Sequence, residues 1–416
     1  MSTTAAQSVN LSDDEVRERF LGWLGANLPA DWIKAIETGD AELLRSARRG
    51  LDGQDFLVRI GEAGWAQPTW PTAYGGAGLE VAQARIVEEL KNEYKVPRSF
   101  NVIGLGMGAP TIMQWGSEEL KKRYLPPMAQ NREIWCQLFS EPGAGSDVAG
   151  LATRAVRDGD EWIVNGQKVW TTLAHIASFG LLVARTNPDA PKHTGLSYFI
   201  VDMKAPGVEV RPLKQITGDA EFNEVFFTDV RIHDSHRLGN EGDGWAVATT
   251  TLMNERVALS GSGSSGGENV GGGPVDELLA FAKGNGAWDD PHIRQRLVQA
   301  VIDGRVLRTT NYRAAAKRKA GAAGPEGSIT KLFQALYNQR LQNLAVDILG
   351  ATGMAWTADD SATGMRIRGF LRSRANTIEG GTTEVMKNIL GDRVLGLPRE
   401  PDASKGVPWK DVPRSQ

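Results

Sequence analysis

Apolar residues recur at helical spacing through the first third of the chain, at strand spacing through the middle, and at helical spacing again to near the end. In EVRERFLGWLGANL, Val16, Phe20, Leu21 and Leu24 fall on one face, and Ser12 with Glu15 makes a capping box ahead of them, so the pattern predicts a helix. The segment Leu51 to Trp65 repeats this period and breaks at QPTWPTAYGGAGL, where prolines and glycines force a loop. Helices are predicted to resume through VAQARIVEELKNEY and TIMQWGSEELKKRYLPPM. Near residue 135 the period changes. LATRAVRDGDEWIVNGQKVWTT holds two strand-like runs joined at Asp158-Gly159-Asp160, and Asn165-Gly166 predicts a further tight turn. FGLLVART, GLSYFIVDM, GVEVRPL and NEVFFTDVRI complete a β-domain of roughly a hundred residues.

From Gly244 the helical period returns and runs to about Leu397. Inside it, GSGSSGGENVGGG at 261–273 cannot be interior helix, because each glycine costs about 1 kcal/mol relative to alanine. The polar, proline-containing tail from Pro398 is expected to be loosely held. The predicted organisation is α+β: a helical domain over 1–134, a β-domain over 135–240, a helical bundle over 241–397 and a tail over 398–416.

At 416 residues the chain can bury a large core and divide into two or three domains. A formal net charge of -3 without blocks of like charge argues against nucleic acid or an anionic membrane surface as partner. No apolar run approaches the roughly 20 residues of a membrane helix, and no basic-plus-apolar start suggests a signal peptide. The single cysteine, Cys136, excludes an intramolecular disulfide and suits a reducing cytosol. The five histidines, at 175, 193, 233, 236 and 292, show no metal-ligand spacing, so no metal is expected.

Two pieces carry chemistry. FSEPGAGSD, from Phe139 to Asp147, puts Ser140, Glu141 and a proline in a tight bend with Gly143 and Gly145, whose missing Cβ atoms let backbone N–H groups crowd a ligand. NGQKVWTT then ends a strand with Trp170, Thr171 and Thr172, an indole and two hydroxyls suited to a flat heteroaromatic cofactor with a phosphate tail. At this spacing the pair resembles the flavin-binding signature of acyl-CoA dehydrogenases, and the likeness extends from about residue 50 to about residue 397.

That resemblance implies FAD, with a helical N-terminal domain, a middle β-barrel or sandwich and a C-terminal helical bundle. By position it puts Phe139, Ser140, Gly145 and Ser146 at the ring's carbonyl edge and the phosphates, with Ser146 also toward the substrate. Trp170 would stack beside the ring, with Thr171 adjoining, and the Thr172 hydroxyl would meet flavin N5, where a donor stabilises the charge of an arriving hydride. Taken alone, Trp170 is equally an ordinary strand-end aromatic. The turn Gly380-Gly381-Thr382, followed by Glu384, would approach the cofactor, and a backbone N–H at Gly380 would polarise the substrate's thioester carbonyl. A cap by Thr382 on a following helix is compatible with that role.

Removing a proton α to a thioester needs a carboxylate made more basic by apolar surroundings. Two glutamates qualify. Many family members carry the base directly before the Gly-Thr pair near the end, but that register here puts Gly380 in the slot and Glu379 one residue early. A smaller branch carries it on the first helix of the C-terminal domain, immediately before an arginine, and Glu255-Arg256 matches that branch residue for residue. Glu255 is therefore the expected base and Glu379 the alternative, with Arg256 expected to face substrate. A solvent-facing helix glutamate is the competing reading, opposed by Leu252 and Leu259 on the same side of the helix.

The match fails in two places. The family's arginine, which reaches the flavin pyrophosphate of a neighbouring subunit, is missing from AFAKGNGAWDDPHIRQRL, and Asp347 stands where a glutamine or glutamate is usual. Both bear on the part of the site lent across a subunit boundary, so the resemblance leaves open a homo-oligomer (dimer or tetramer) and a heterotetramer with a related subunit. The glycine run at 261–273 predicts a bulky or branched acyl group, a harmless surface loop being the alternative. The reading is a cytoplasmic enzyme turning an acyl-CoA into the trans-2-enoyl-CoA, with electrons passing to an electron-transfer flavoprotein. A monooxygenase or oxidase on the same fold, and a non-catalytic partner subunit, remain the alternatives.

Overall fold

The structure is a computed structural model that describes residues 11–259, 275–319, 326–355, 362–402 and 404–413. Seven helices come first: α1 (Asp13–Asn27), α2 (Ala30–Thr38), α3 (Ala41–Arg49), α4 (Gly53–Glu62), α5 (Val81–Glu93), α6 (Ala109–Trp115) and α7 (Glu118–Ala129). The capping box ahead of α1 forms: Glu15 N–H donates to Ser12 Oγ at 3.2 Å and Ser12 N–H to Glu15 Oε2 at 2.7 Å. The predicted face of α1 is buried through Val16, Phe20 and Leu24, which pack with Trp32, Phe56, Ile60, Val87 and Leu90. The run TIMQWGSEELKKRYLPPM is two helices rather than one, because Gly116 turns extended and the Ser117 hydroxyl caps α7.

Strands follow as β1 (Trp135–Leu138), β2 (Arg154–Asp158), β3 (Glu161–Thr172), β4 (Phe179–Arg185), β5 (Leu196–Asp202), β6 (Val208–Leu213), β7 (Phe222–His233) and β8 (Arg237–Leu238). They form one mixed sheet in the order β6-β7-β3-β2-β4-β5-β8, with β1 parallel to β4. Both faces are covered, which is why β4 and β5 read as nearly continuous apolar runs. Leu181, Val183, Tyr198 and Ile200 face the helices, while Leu182, Ala184, Phe199 and Val201 face a second core with Trp162, Val164 and Phe227.

The predicted hairpin at Asp158-Gly159-Asp160 is present, with Asp158 paired to Glu161. The turn expected at Asn165-Gly166 is not. β3 runs through it, and the register against β7 shifts between Val164 and Gly166. Asn165 and Asp229 bond each other across that bulge at 2.9 and 3.0 Å. Gly166 is needed because a Cβ there would collide with Thr153.

The C-terminal part comprises α8 (Gly244–Leu259), α9 (Val275–Gly284), α10 (Pro291–Lys319), α11 (Glu326–Leu349), α12 (Ala362–Ser373) and α13 (Thr383–Arg393). Leu278, Leu297, Leu341, Leu344 and Ile348 make its core. The glycine run at 261–273 lies outside the described residues.

The expectation of a loosely held tail is corrected. The segment around Trp409 crosses back onto the β-domain, where Trp409 N–H donates to Ala190 O at 2.9 Å and Lys410 N–H to Pro188 O at 3.1 Å. A segment without hydrophobic period gave no warning of this, because one indole and a few backbone bonds suffice to dock it.

Candidate functional site

The two motif pieces meet through a backbone bond, Val169 N–H to Ser140 O at 2.9 Å. Between them lies an ion pair that the motif's spacing does not announce. The Lys168 ammonium, fully buried, donates to Glu141 Oε1 at 2.9 Å and to Phe139 O at 3.0 Å. Glu141 also accepts from Ala152 N–H at 2.6 Å and Thr153 N–H at 2.9 Å. Burial would raise the Glu141 carboxyl, but the Lys168 charge and these donors outweigh it and hold it below the usual carboxylate range. Glu141 is thus the internal tether of the loop. Gly145 and Ser146 are exposed, and a Cβ on Gly143 or Gly145 would meet nothing, so the outer side of the loop is open to a ligand.

Trp170 is held in an unusual way. The register against β7 shifts between Lys168 and Thr171, and in that bulge Trp170 adopts φ +59° with its side chain 61% exposed. A left-handed tryptophan left facing water is costly, and such strain concentrates at ligand sites. Next to it, the buried Thr171 hydroxyl has no hydrogen-bond partner, although Asn223 Nδ2 holds the Thr171 carbonyl at 2.9 Å. Thr172 is half-buried opposite Phe222.

The Gly380-Gly381 turn takes φ +62° and +96°, values open to glycine, and Thr382 caps α13 by accepting from Val385 N–H at 3.2 Å. The neighbouring Thr383 hydroxyl is buried without a partner, and Glu384 is exposed. A chain of contacts ties this turn to the strand bulge. Glu379 pairs with Arg372, whose guanidinium lies 5.8 Å from the Phe222 ring centroid, and Phe222 in turn meets Trp170 edge to face at 6.0 Å.

The two candidate bases sit on different elements, α8 and the turn before α13. Both Glu379 oxygens are engaged: Arg372 Nη1 and Nη2 donate at 3.0 and 2.9 Å, and Asn376 Nδ2 donates to Oε1 at 2.8 Å. Such a forked pair fixes the carboxylate in place. Glu255 lies half-buried on α8, one turn after Thr251, on the stripe that buries Val247, Ala248 and Thr251. The side chains of Arg256 and Leu259 lie outside the described residues, and Leu252 packs against the core between the helices and the sheet. Both glutamates fall within electrostatic reach of one ammonium, Lys331, which burial lowers and their charges raise, and which donates to Asn376 O at 2.6 Å.

One feature of the site left no trace in the sequence pattern. The hydroxyls of Thr111 on α6 and Thr251 on α8 lie 2.9 Å apart, and Tyr198 on β5 reaches Thr251 at 3.0 Å, all fully buried. Tyr198 also packs edge-on against Phe139 at 5.8 Å. Glu255's helix is thereby registered against the loop. A polar triad drawn from three separate segments has no local signature.

Asp347, one of the departures, pairs with Arg296 of α10 at 2.7 Å. Beside that pair a groove of about 270 Å³ opens between α10 and α11, lined by Asp303, Tyr337, Arg340 and Asn343 among others. Among the described residues no cluster could hold a metal ion, and no helix is long and apolar enough to cross a membrane.

Comparison with known proteins covers most of the chain. Residues 39–132 match the family description "Acyl-CoA dehydrogenase, N-terminal domain", 136–230 the middle domain and 242–395 the C-terminal domain. The chain is 38% identical over 388 residues to acyl-CoA dehydrogenase IpdE1 of Mycobacterium tuberculosis, covering 93% of this chain and 98% of that one. It is 30% identical to cyclohexane-1-carbonyl-CoA dehydrogenase of Geobacter metallireducens, covering 83% and 90%. Among solved structures it resembles the Tcur3481-Tcur3483 steroid ACAD with a TM-score of 0.73 and 27% identity, over 96% of this chain and 99% of that chain.

Proposed function

The chain belongs to the acyl-CoA dehydrogenase family, and from that premise we propose that it oxidises a bulky or ring-bearing acyl-CoA to its trans-2-enoyl-CoA in the cytoplasm, with Glu255 as base. The observation that carries the reading is Trp170, strained and exposed in a strand bulge beside an unpartnered buried hydroxyl, an arrangement that a flat ring would complete. FAD fits the residues present. Phe139, Ser140, Gly145 and Ser146 offer an open loop, Trp170 to Thr172 an aromatic face with two hydroxyls, and Gly380 to Glu384 a helix N-terminus for phosphate. When bound, it supplies the acceptor, at N5, for the β-hydrogen leaving as hydride.

The chain's own residues do the rest. Glu255 removes the α-proton, which returns to solvent after the product leaves. A backbone N–H at the Gly380 turn polarises the thioester carbonyl and so acidifies that proton, and the Thr172 hydroxyl donates toward the hydride acceptor. Arg256 is assigned to the substrate. Glu379 keeps Arg372 in place. The relatives named for steroid and cyclohexane-1-carbonyl substrates favour a bulky acyl group.

The purified protein is expected to be yellow, to bleach when an acyl-CoA is added without air, and to bleach faster with cyclic or steroid-derived thioesters than with straight medium chains. The reverse order refutes the bulky substrate. Rapid reoxidation in air marks an oxidase instead, and a protein that stays colourless with added FAD is a non-catalytic subunit. Persistence of the bleached form in air, with recolouring by an electron-transfer flavoprotein, identifies the acceptor.

With the phosphate arginine missing, the site is completed by contact with another chain, either a related subunit that supplies this interaction or a second copy that holds the flavin through other residues. The exposed stripe Val298, Ile302 and Val306 on α10, at successive turns, suits that contact. Ile302→Glu is expected to shift the protein to monomers in light scattering, and an unchanged mass removes this face from the interface.

A further inference from the structure

We propose that the C-terminal tail is a strap that sets the flavin-side loop, with Trp409 and Arg185 as its positioning residues. The inference rests on assigning residues 139–147 to the flavin, and it concerns what holds the far end of that loop. The near end is fixed by Glu141 and Lys168. The far end runs into Ala149, Gly150 and Leu151, and three consecutive carbonyls there are gripped from one side. Arg185 Nη2 donates to Ala149 O at 2.6 Å and to Leu151 O at 3.3 Å. Trp409 Nε1 donates to Gly150 O, between them, at 3.1 Å.

The two gripping groups also hold each other. The Arg185 guanidinium lies 4.5 Å from the Trp409 ring centroid, and Arg185 itself is 3% exposed at the end of β4. An indole laid over a guanidinium shields it from water and strengthens its bonds to the carbonyls beneath. Arg185 Nη1 reaches Lys192 O at 2.7 Å, and the Lys192 ammonium pairs with Asp147 at 3.1 Å, the last residue of the motif. The tail is seated on the same hairpin by Lys410 to Asp189 at 2.6 Å, besides the two backbone bonds to Pro188 and Ala190. The strap, the hairpin and the loop thus form one closed set of contacts around residues 147–151. Among the described residues, the segment around Trp409 reaches the motif loop through Arg185 and Lys192.

The full-length chain with Trp409→Ala, and separately Trp409→Phe, tests this. The readouts are the FAD dissociation constant of the apoprotein, followed by flavin fluorescence, and amide hydrogen exchange across 147–153. Trp409→Ala is expected to weaken FAD about tenfold and to speed exchange at 147–153, leaving α1 to α5 unchanged, because an aromatic cover and one bond are lost at a single place. Trp409→Phe, which keeps a ring over Arg185 but no donor, should fall between. Unaltered exchange at 147–153 overturns the strap, as does an increase spread evenly over the whole chain. Should the wild-type protein bind no FAD, the flavin assignment fails, and the exchange measurement still decides whether Trp409 holds the loop.

Discussion

Glu255→Gln is expected to lower the rate of flavin reduction by an acyl-CoA about a thousandfold while FAD stays bound, the size of loss typical when a positioned base is removed. The substitution keeps the shape of the side chain and takes away its negative charge, and with it the capacity to accept a proton. Glu255 lies on the buried stripe of α8, half-covered, and α8 is held in register by the Thr111, Tyr198 and Thr251 hydroxyls, so the neutral side chain should occupy the same place. Glu379→Gln is the matched control. It breaks a forked pair with Arg372, so it should lower thermal stability and reduce flavin less than about tenfold more slowly. Rapid mixing without air, reading the oxidised flavin band, measures both. A fast Glu255→Gln protein beside a slow Glu379→Gln protein reverses the assignment.

The second large effect is expected at Glu141. Glu141→Gln leaves the Lys168 ammonium fully buried with a carbonyl and an amide for company, and removal of one partner from such a pair typically costs about 3–5 kcal/mol. Urea unfolding of the apoprotein should show that loss, and the variant should release FAD because the loop bearing Phe139 to Ser146 loses its tether. Glu141→Leu with Lys168→Met together should cost less than Glu141→Gln alone, since no charge is stranded. A stability within about 1 kcal/mol of wild type for Glu141→Gln would show the pair to be dispensable. The sign of the pH dependence follows from the depressed carboxyl. Its contribution is complete above the ordinary glutamate value of 4.5 and is lost as pH falls through the lower value in the fold, so acid should free the flavin.

Local pattern accounted for what local physics controls. The capping box at Ser12, the two-residue turn at Gly159-Asp160 and the continuous apolar runs of β4 and β5 each depend on residues within a few positions of one another. The motif pieces were legible for the same reason, since glycines and an indole at fixed spacing announce a binding loop. What escaped depends on distant partners. Asn165-Gly166 reads as a turn in isolation, and only the approach of Thr153 and the pairing with Asp229 make it a bulge. Lys168 looks like a solvent-facing strand lysine until the loop folds Glu141 beneath it. Arg372, ending one helix, forks onto Glu379 beyond the next turn and also reaches Glu221 at the start of β7, and Lys331 answers two carboxylates from separate segments. Trp409 sits in a stretch with no period at all. Each is a polar or aromatic contact across the chain, and such contacts leave no regular spacing to find.

The hydroxyl triad has a consequence for how the protein comes to exist. Thr111, Tyr198 and Thr251 belong to the first helical part, the sheet and the last helical part. The two threonines also bond the carbonyls of Met107 and Val247, but the Tyr198 hydroxyl depends on Thr251. A growing chain therefore cannot satisfy the sheet's buried tyrosine before the last part is made. Contacts this remote in sequence form late and slowly. The reactive centre is an assembly product, so fragments and single-part transplants of this protein should inherit its shape without its chemistry.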